Sequence, residues 1–385
     1  MAKGYSTSGD ILTRTRDGQD LNRIWQMYQE LLQEFNAQRQ PLVDLLSFTT
    51  NTVIEDIVQP GSESFEEATE FGIPQAIRPA PVPTARAYPF KWYDTRTAYT
   101  FQFLAGGPGQ AEGASSAQLD AHLSTVMEAD NKLQFQQVMK ALFNNANRSV
   151  LIDGVTFPVT ALYNADGLYP IPDVDGKSFN SATHTHYTAT GSAQAWIFDP
   201  DDVQALARNV EEHGYTRANG YNILILMNPD DANASVAKFV RNQAYSTSGV
   251  TSLYDFIPSQ GTNFTVQLPP GYTLVGGLPP NQFAGLNVAG SWGPYLIVTA
   301  NQIPTGYMVA VATRGAGTTS NVVGIREHSN AGLRGLVLRP GNTSANYPLV
   351  DSYFIRGLGT AVGPRGAAAI MQNAASYSVP TTYAW

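Results

Sequence analysis

The feature that most limits what this chain can become is one uninterrupted helical stretch from about Ser116 to Asn147. Leu119, Leu123, Val126, Met127, Leu133, Val138, Met139, Leu142 and Phe143 recur along it at mostly helical spacing. At ~1.5 Å per residue it spans roughly 45 Å, long for a globular helix. Other elements flank it. Leu21, Ile24, Trp25, Tyr28, Leu31, Leu32 and Phe35 form one face of an earlier helix, which Asp17 or Asp20 can cap and Pro41 ends. Asp199-Pro200 opens a later helix with Val203, Leu206, Ala207 and Val210 inside it and Gly214 closing it. Tyr221 to Met227 reads as a buried strand, and Asn228-Pro229 starts another helix through about Gln243. Short apolar strands are expected at Tyr272–Val275, Tyr295–Thr299, Tyr307–Ala312, Val322–Ile325, Leu333–Leu338 and Leu349–Ile355. The expected class is α+β, with no internal repeat.

Ahead of the long helix the character changes. Residues 59–89 carry Pro60, Pro74, Pro79, Pro81, Pro83 and Pro89, and Pro79 to Pro83 should be extended and stiff. Phe90 and Trp92 then alternate with polar neighbours, and after Asp94-Thr95-Arg96 so do Tyr99, Phe101 and Phe103. The pattern predicts a two-stranded hairpin over about 86–104. A lone hairpin is marginal in water, so its rings are expected to bury against a neighbouring copy. Glycine-rich residues 105–113 follow as a loop. Beyond the helix, Asp153-Gly154 between Val150-Leu151-Ile152 and Val155-Thr156-Phe157 predicts a tight hairpin with a type I′ turn.

Charge is scarce, at 14% against ~25% for ordinary soluble domains, while aromatics reach 11%. Interfaces deplete charge and enrich aromatics, so the composition favours an assembling protein. The net charge of −8 disfavours a dedicated nucleic-acid binder. There is no cysteine, hence no disulfide framework and no cysteine metal site. No apolar run of signal-peptide or membrane-span length is present, which reads as a soluble, unexported chain. Residues 40–77 have a net charge of −7 and residues 301–385 of +4. That segregation suggests Glu63, Glu66, Glu67 and Glu70 facing Arg326, Arg339, Arg356 and Arg365 of another copy.

Catalytic motifs fail at required positions. Gly176-Lys177-Ser178 ends like a phosphate loop, but Ile171 stands where its first glycine belongs. Ala289-Gly290-Ser291-Trp292-Gly293 hints at a nucleophile elbow, yet Pro294 and an apolar strand follow where a helix should. His184 and His186 would share a face of a strand, but no third metal ligand is evident. Asp173-Val174-Asp175-Gly176 begins like a calcium loop without its later glutamate. No catalytic, cofactor-binding or metal residue is therefore assigned, and the chain is not expected to be an enzyme.

Taken in order, these pieces resemble the major capsid protein of tailed bacteriophages, the Hong Kong 97-type fold. The carrying stretches are Asp201 to Asp231, with Glu211-Glu212-His213-Gly214-Tyr215 and Met227-Asn228-Pro229-Asp230. Others are Gln302-Ile303-Pro304-Thr305-Gly306, Gly324-Ile325-Arg326-Glu327-His328, Tyr353-Phe354-Ile355-Arg356, and Gly363 through Gln372. The resemblance implies an N-terminal arm (1–58), an extended loop (59–114), a spine helix and peripheral β-region (115–198), an axial domain (199–312) and return strands (313–385). It implies self-assembly into hexamers and pentamers of an icosahedral shell in the virion, built in the host cytoplasm and enclosing double-stranded DNA that is contacted weakly. A portal is implied as partner, with decoration and scaffolding proteins possible. The region before the hairpin is shorter than the cleaved scaffolding segment of some members, so a separate scaffolding protein, or none, is expected. The founding member cross-links a loop lysine to an asparagine. Lys91 and Asn342 would correspond, with Glu327 or Asp351 as base, and no such bond is expected. Competing readings are an encapsulin-like nanocompartment shell and, from another class, a β-rich carbohydrate-binding or carbohydrate-active protein. The second would need a paired-carboxylate cleft.

Overall fold

The computed structural model describes residues 14–57, 85–100, 103–104, 106, 113–192, 198–236, 239–242, 244, 250–259, 273, 275–339 and 352–385. α1 (Leu21–Ala37) and α2 (Pro41–Leu46) lead into β1 (Ser47–Thr50) and β2 (Ile54–Asp56). β3 (Ala85–Ala87), β4 (Lys91–Tyr99), the long α3 (Ser116–Phe143), β5 (Arg148–Ile152), β6 (Val155–Val159) and β7 (Tyr187–Ala189) follow. Then come α4 (Pro200–Glu211), β8 (Asn222–Met227), α5 (Pro229–Val236), β9 (Phe256–Pro258), β10 (Gln282–Phe283), β11 (Leu286–Trp292), β12 (Tyr295–Thr299) and β13 (Tyr307–Thr313). β14 (Val323–Arg326), β15 (Leu336–Arg339), β16 (Ser352–Val362) and β17 (Ala368–Gln372) close the chain.

Local chemistry sets the helix ends. Asp20 caps α1 by accepting from the amides of Asn22 and Arg23. Ser115 and Gln118 form a reciprocal capping box at the start of α3. Asp199 and Asp202 do the same for α4, with Pro200 in its first turn. α3 ends at Phe143, a turn earlier than the periodicity predicts, because Asn144 leaves helical geometry. Its 28 residues still reach about 42 Å.

Two sheets take most strands. The larger has the order β10-β11-β12-β8-β13-β17-β7, with β9 also on β11. Its central strand β8 is the run Ile223-Leu224-Ile225-Leu226-Met227, and both its faces are covered, which is why the run does not alternate. Ile223, Ile225 and Met227 pack with Val203, Leu206 and Val210 of α4 and with Trp292. Leu224 and Leu226 pack on the other side with Val138, Leu142 and Phe143 of α3. In the smaller sheet β14 and β15 line one edge of β16 end to end, β4 lines the other, and β1 adds parallel to β14. The first half of α3 joins this sheet through Leu119, Leu123 and Val126, which pack with α1 and with Leu336, Leu338 and Phe354.

The expected hairpin over 86–104 is not formed. Lys91–Tyr99 is one strand, and its partner is β16, some 260 positions away. Asp94-Thr95-Arg96, read as a turn, is an irregularity in the ladder. Between the pairs Asp94↔Ile355 and Ala98↔Tyr353, β4 takes four steps to two on β16. The second expected hairpin is present: β5 and β6 pair with Asp153 at φ 49° and Gly154 at φ 81°, as a type I′ turn requires. The region read as a phosphate loop is another tight turn, with Asp175 at φ 52°, Gly176 at φ 78° and Lys177 paired to Glu212. Ser291 lies within β11, so no elbow exists there. Of the strand expected at Tyr272–Val275, Thr273 and Val275 are described and neither lies in a strand, while the other two positions fall outside the described residues. Among the described residues no helix is long and apolar enough to cross a membrane.

Candidate functional site

The residues expected at an interface divide into two groups. Phe90 and Trp92 stay at the surface. Trp92 is 45% exposed, stands edge-on to Phe90 at 5.3 Å, and has His328 at 5.8 Å. Arg326 lies over Phe90 at 5.4 Å and donates to the Tyr88 carbonyl at 2.8 Å. This aromatic corner exists because Gly357 and Gly359 of β16 leave room beneath it. A Cβ at Gly357 would sit 2.4 Å from the Phe90 ring and 2.7 Å from that of Trp92. Tyr99 is a correction: it is 1% exposed inside its own chain, stacked on Trp25 at 5.4 Å and bonded to His122 at 3.0 Å. Its odd position on β4 points it inward, whereas Trp92 is even. Phe103 is half-buried at 6.1 Å from Tyr99. Phe101 lies outside the described residues.

Two of the four arginines are also corrections. Arg356 and Arg365 are buried and ion-paired within the subunit, since each has a carboxylate that folding brings to it. Arg356 Nη1 meets Asp130 Oδ2 of α3 at 2.9 Å. Arg365 donates to the carbonyls of Ala161 and Leu162 and, at 2.6 Å, to Asp166. Arg326 is partly exposed and Arg339 fully so. Glu63, Glu66, Glu67 and Glu70 lie outside the described residues, as do Asn342 and Asp351. Lys91 is exposed at the start of β4, and the Glu327 carboxylate is engaged by Arg39 at 3.3 Å.

Burial pushes the Asp166 carboxyl up, but bonds from Arg365, the Leu168 amide and Asn147 outweigh it and hold it below its ordinary 3.8. A folded value below the unfolded one means stability present above pH 3.8 and lost as pH falls beneath it. Asp166→Asn should therefore cost about 1.5–3 kcal/mol near neutrality, the range for hydrogen bonds to charged groups. In urea melts the gap to wild type should narrow in acid below the ordinary carboxylate range; a constant gap would refute the assignment.

Sequence reasoning missed a histidine. His184 and His186 do share a face, and the end of α4 brings His213 onto them. Their ligand nitrogens all lie within 4.8 Å of one another. Burial lowers the basicity of all three rings. For His213, reduced to about 3, the neighbouring His184 and Lys177 add to it. The only sequence signal was a histidine following a helix 27 positions later.

Among the described residues, other apolar groups also reach solvent. Leu151 and Val155 flank the β5–β6 turn, Met27 and Leu31 lie on α1, and Leu253, Tyr254, Val275 and Leu278 surround the far end of the larger sheet.

The chain is similar over its whole length to a solved structure from Mycobacterium phage Patience. The two are 37% identical, the match covers 100% of this chain and 97% of that one, and the TM-score is 0.72. The capsid of an empty GTA particle is 14% identical over 87% of this chain and 90% of its own, with a TM-score of 0.45. An encapsulin complex from Synechococcus elongatus PCC 7942 is 13% identical over 88% of each chain, with a TM-score of 0.36. No family model and no curated protein matches the chain.

Proposed function

Because this chain belongs to the Hong Kong 97-type major capsid proteins of tailed phages, structural and non-enzymatic proteins that self-assemble into the virion shell, we propose the following division of labour. The subunit forms hexamers and pentamers that close into an icosahedral shell around double-stranded DNA, in the host cytoplasm and around a portal. The observation that carries this is 37% identity over the full length of a phage structure. The end of the larger sheet bearing Leu253, Tyr254, Val275 and Leu278 faces the capsomer axis, and the Phe90–Trp92 corner is covered by an adjacent subunit. The acidic balance suits a wall that confines DNA without gripping it. Electron microscopy of purified particles tests the reading. Closed shells holding DNA are expected; shells holding a cargo protein would favour a nanocompartment, and small monodisperse particles would overturn assembly altogether.

The corner makes a narrower prediction. Buried aromatic anchors carry a disproportionate share of interface energy. Trp92→Ser should leave the isolated subunit within about 0.5 kcal/mol of wild type in a urea melt, because the ring is half in solvent. The same change should raise the subunit concentration needed for assembly tenfold or more. Unchanged assembly would place Trp92 on a free surface.

A further inference from the structure

We propose that His184, His186 and His213 form a binding site for one divalent transition-metal ion, zinc by preference, which braces the segment before β7 to the end of α4. Two elements supply the ligands, the segment before β7 giving His184 and His186 and the end of α4 giving His213, and the arrangement is poised for a cation rather than for hydrogen bonding among the rings.

His186 fixes the logic. Its Nδ1 lies 2.6 Å from the Ala368 carbonyl, which can only accept. In the neutral ring Nδ1 therefore carries the hydrogen, and Nε2 presents a lone pair. That Nε2 lies 3.1 Å from His184 Nε2, which in turn lies 2.9 Å from His213 Nε2. One hydrogen on His184 Nε2 can serve one of these neighbours well, not both. A metal ion between them would instead take a lone pair from each ring. At Zn–N distances of ~2.0–2.1 Å, tetrahedral ligands stand about 3.3–3.4 Å apart, so the two close pairs need to open by only a few tenths of an ångström.

The surroundings match a metal site in their second layer as well. A carbonyl holding the remote nitrogen of a ligating histidine is the usual orienting partner. Phe179 packs on His213 at 4.5 Å and on His184 at 4.9 Å, and Tyr163 contacts all three rings. These rings restrict water and keep the imidazoles in place. Gly366 is part of the cradle, because a Cβ there would stand 2.9 Å from the His213 ring. Among the described residues no carboxylate joins the cluster, and Glu212 is paired with Lys177. The donor set is thus all imidazole, which suits zinc, copper, nickel or cobalt and excludes calcium and magnesium. A cleft of about 280 Å³ lined by His213 and Tyr163 adjoins the cluster on its His213 side.

Untagged protein stripped with EDTA and dialysed against zinc chloride should retain about one ion per chain by elemental analysis, as three ligands and a water predict. Cobalt loaded in its place should show the intense visible absorption of tetrahedral coordination. Zinc should raise the melting temperature of wild type and leave that of His184→Ala and His213→Ala unmoved. His184 is partly exposed, so its variant is expected to fold even if the His213 variant does not, and it then carries the comparison alone. Zinc retention in wild type no greater than in His184→Ala, or a cobalt spectrum without tetrahedral bands, overturns the proposal.

Discussion

Gly359→Ala is expected to yield no soluble, folded subunit. A Cβ at this position of β16 would stand 1.8 Å from the Pro89 carbonyl oxygen and 2.5 Å from its carbon. Both are backbone atoms, so no rotamer change relieves the overlap. The segment Pro89–Lys91 would have to lift away just where β4 begins its pairing at Lys91↔Leu358, while Arg326 of β14 holds Gly359 on the opposite edge. Losing that end of the ladder also undoes the packing of Phe90 and Trp92 on Gly357. The expected cost exceeds about 4 kcal/mol, in the tail reserved for such lesions. Against a total of ~5–15 kcal/mol this leaves little or no stability. Gly277→Ala is the control: nothing lies within 4 Å of its added methyl, and the urea midpoint should stay within about 0.5 kcal/mol of wild type. A soluble Gly359→Ala protein with a wild-type midpoint would show that β4 can shift at no cost.

Asp130→Ala should destabilise the subunit by about 3–5 kcal/mol, the usual result of stripping one partner from a buried ion pair. Asp130 and Arg356 have side chains 2% and 7% exposed. Burial pushes the carboxyl up and the guanidinium down, so desolvation works against both charges and each depends on the other to remain ionised. Removing Asp130 leaves the Arg356 guanidinium with Asn36 at 3.3 Å and without its bonded carboxylate, and Gln134 loses its acceptor. The double change Asp130→Leu with Arg356→Met should sit closer to wild type than either single change, because it removes the desolvation cost along with the attraction. Urea unfolding of dilute, unassembled subunits gives the comparison. Equal losses in Asp130→Ala and the double variant would mean that the pair acts only through its shape.

These two positions also mark where the sequence stopped being readable. Local signals held well: the α1 face, the start of the long helix near Ser116, Asp153-Gly154, Asp199-Pro200 and the five-residue run of β8 each act through neighbours a few positions away. Contacts made across most of the chain left no such trace. The strand expected at Leu349–Ile355 stops short of Gly357 and Gly359, although β16 runs straight through them because another backbone needs the space. The alternation in Lys91–Tyr99 predicts pairing with its own continuation, since alternation reveals a strand and not its partner, which is β16. The charge segregation points Arg356 and Arg365 at another copy, a reading that fails when a carboxylate 226 or 199 positions away in the same chain is brought alongside. His213 escaped the metal reading for the same reason.

The register of the smaller sheet has a consequence for how the subunit is made. β1 must wait for β14, and β4 for β16, so the first strands synthesised are completed by some of the last. Closing such distant pairs is slow relative to local structure. At ~5–20 residues per second, translation leaves the early strands unpaired for tens of seconds. A nascent chain has helices and the β5–β6 hairpin available during that time, but not the aromatic corner, whose glycine floor is still inside the ribosome. That part of the docking surface is thus finished only as the chain is released, and an unfinished subunit lacks the aromatic corner with which to engage a growing shell.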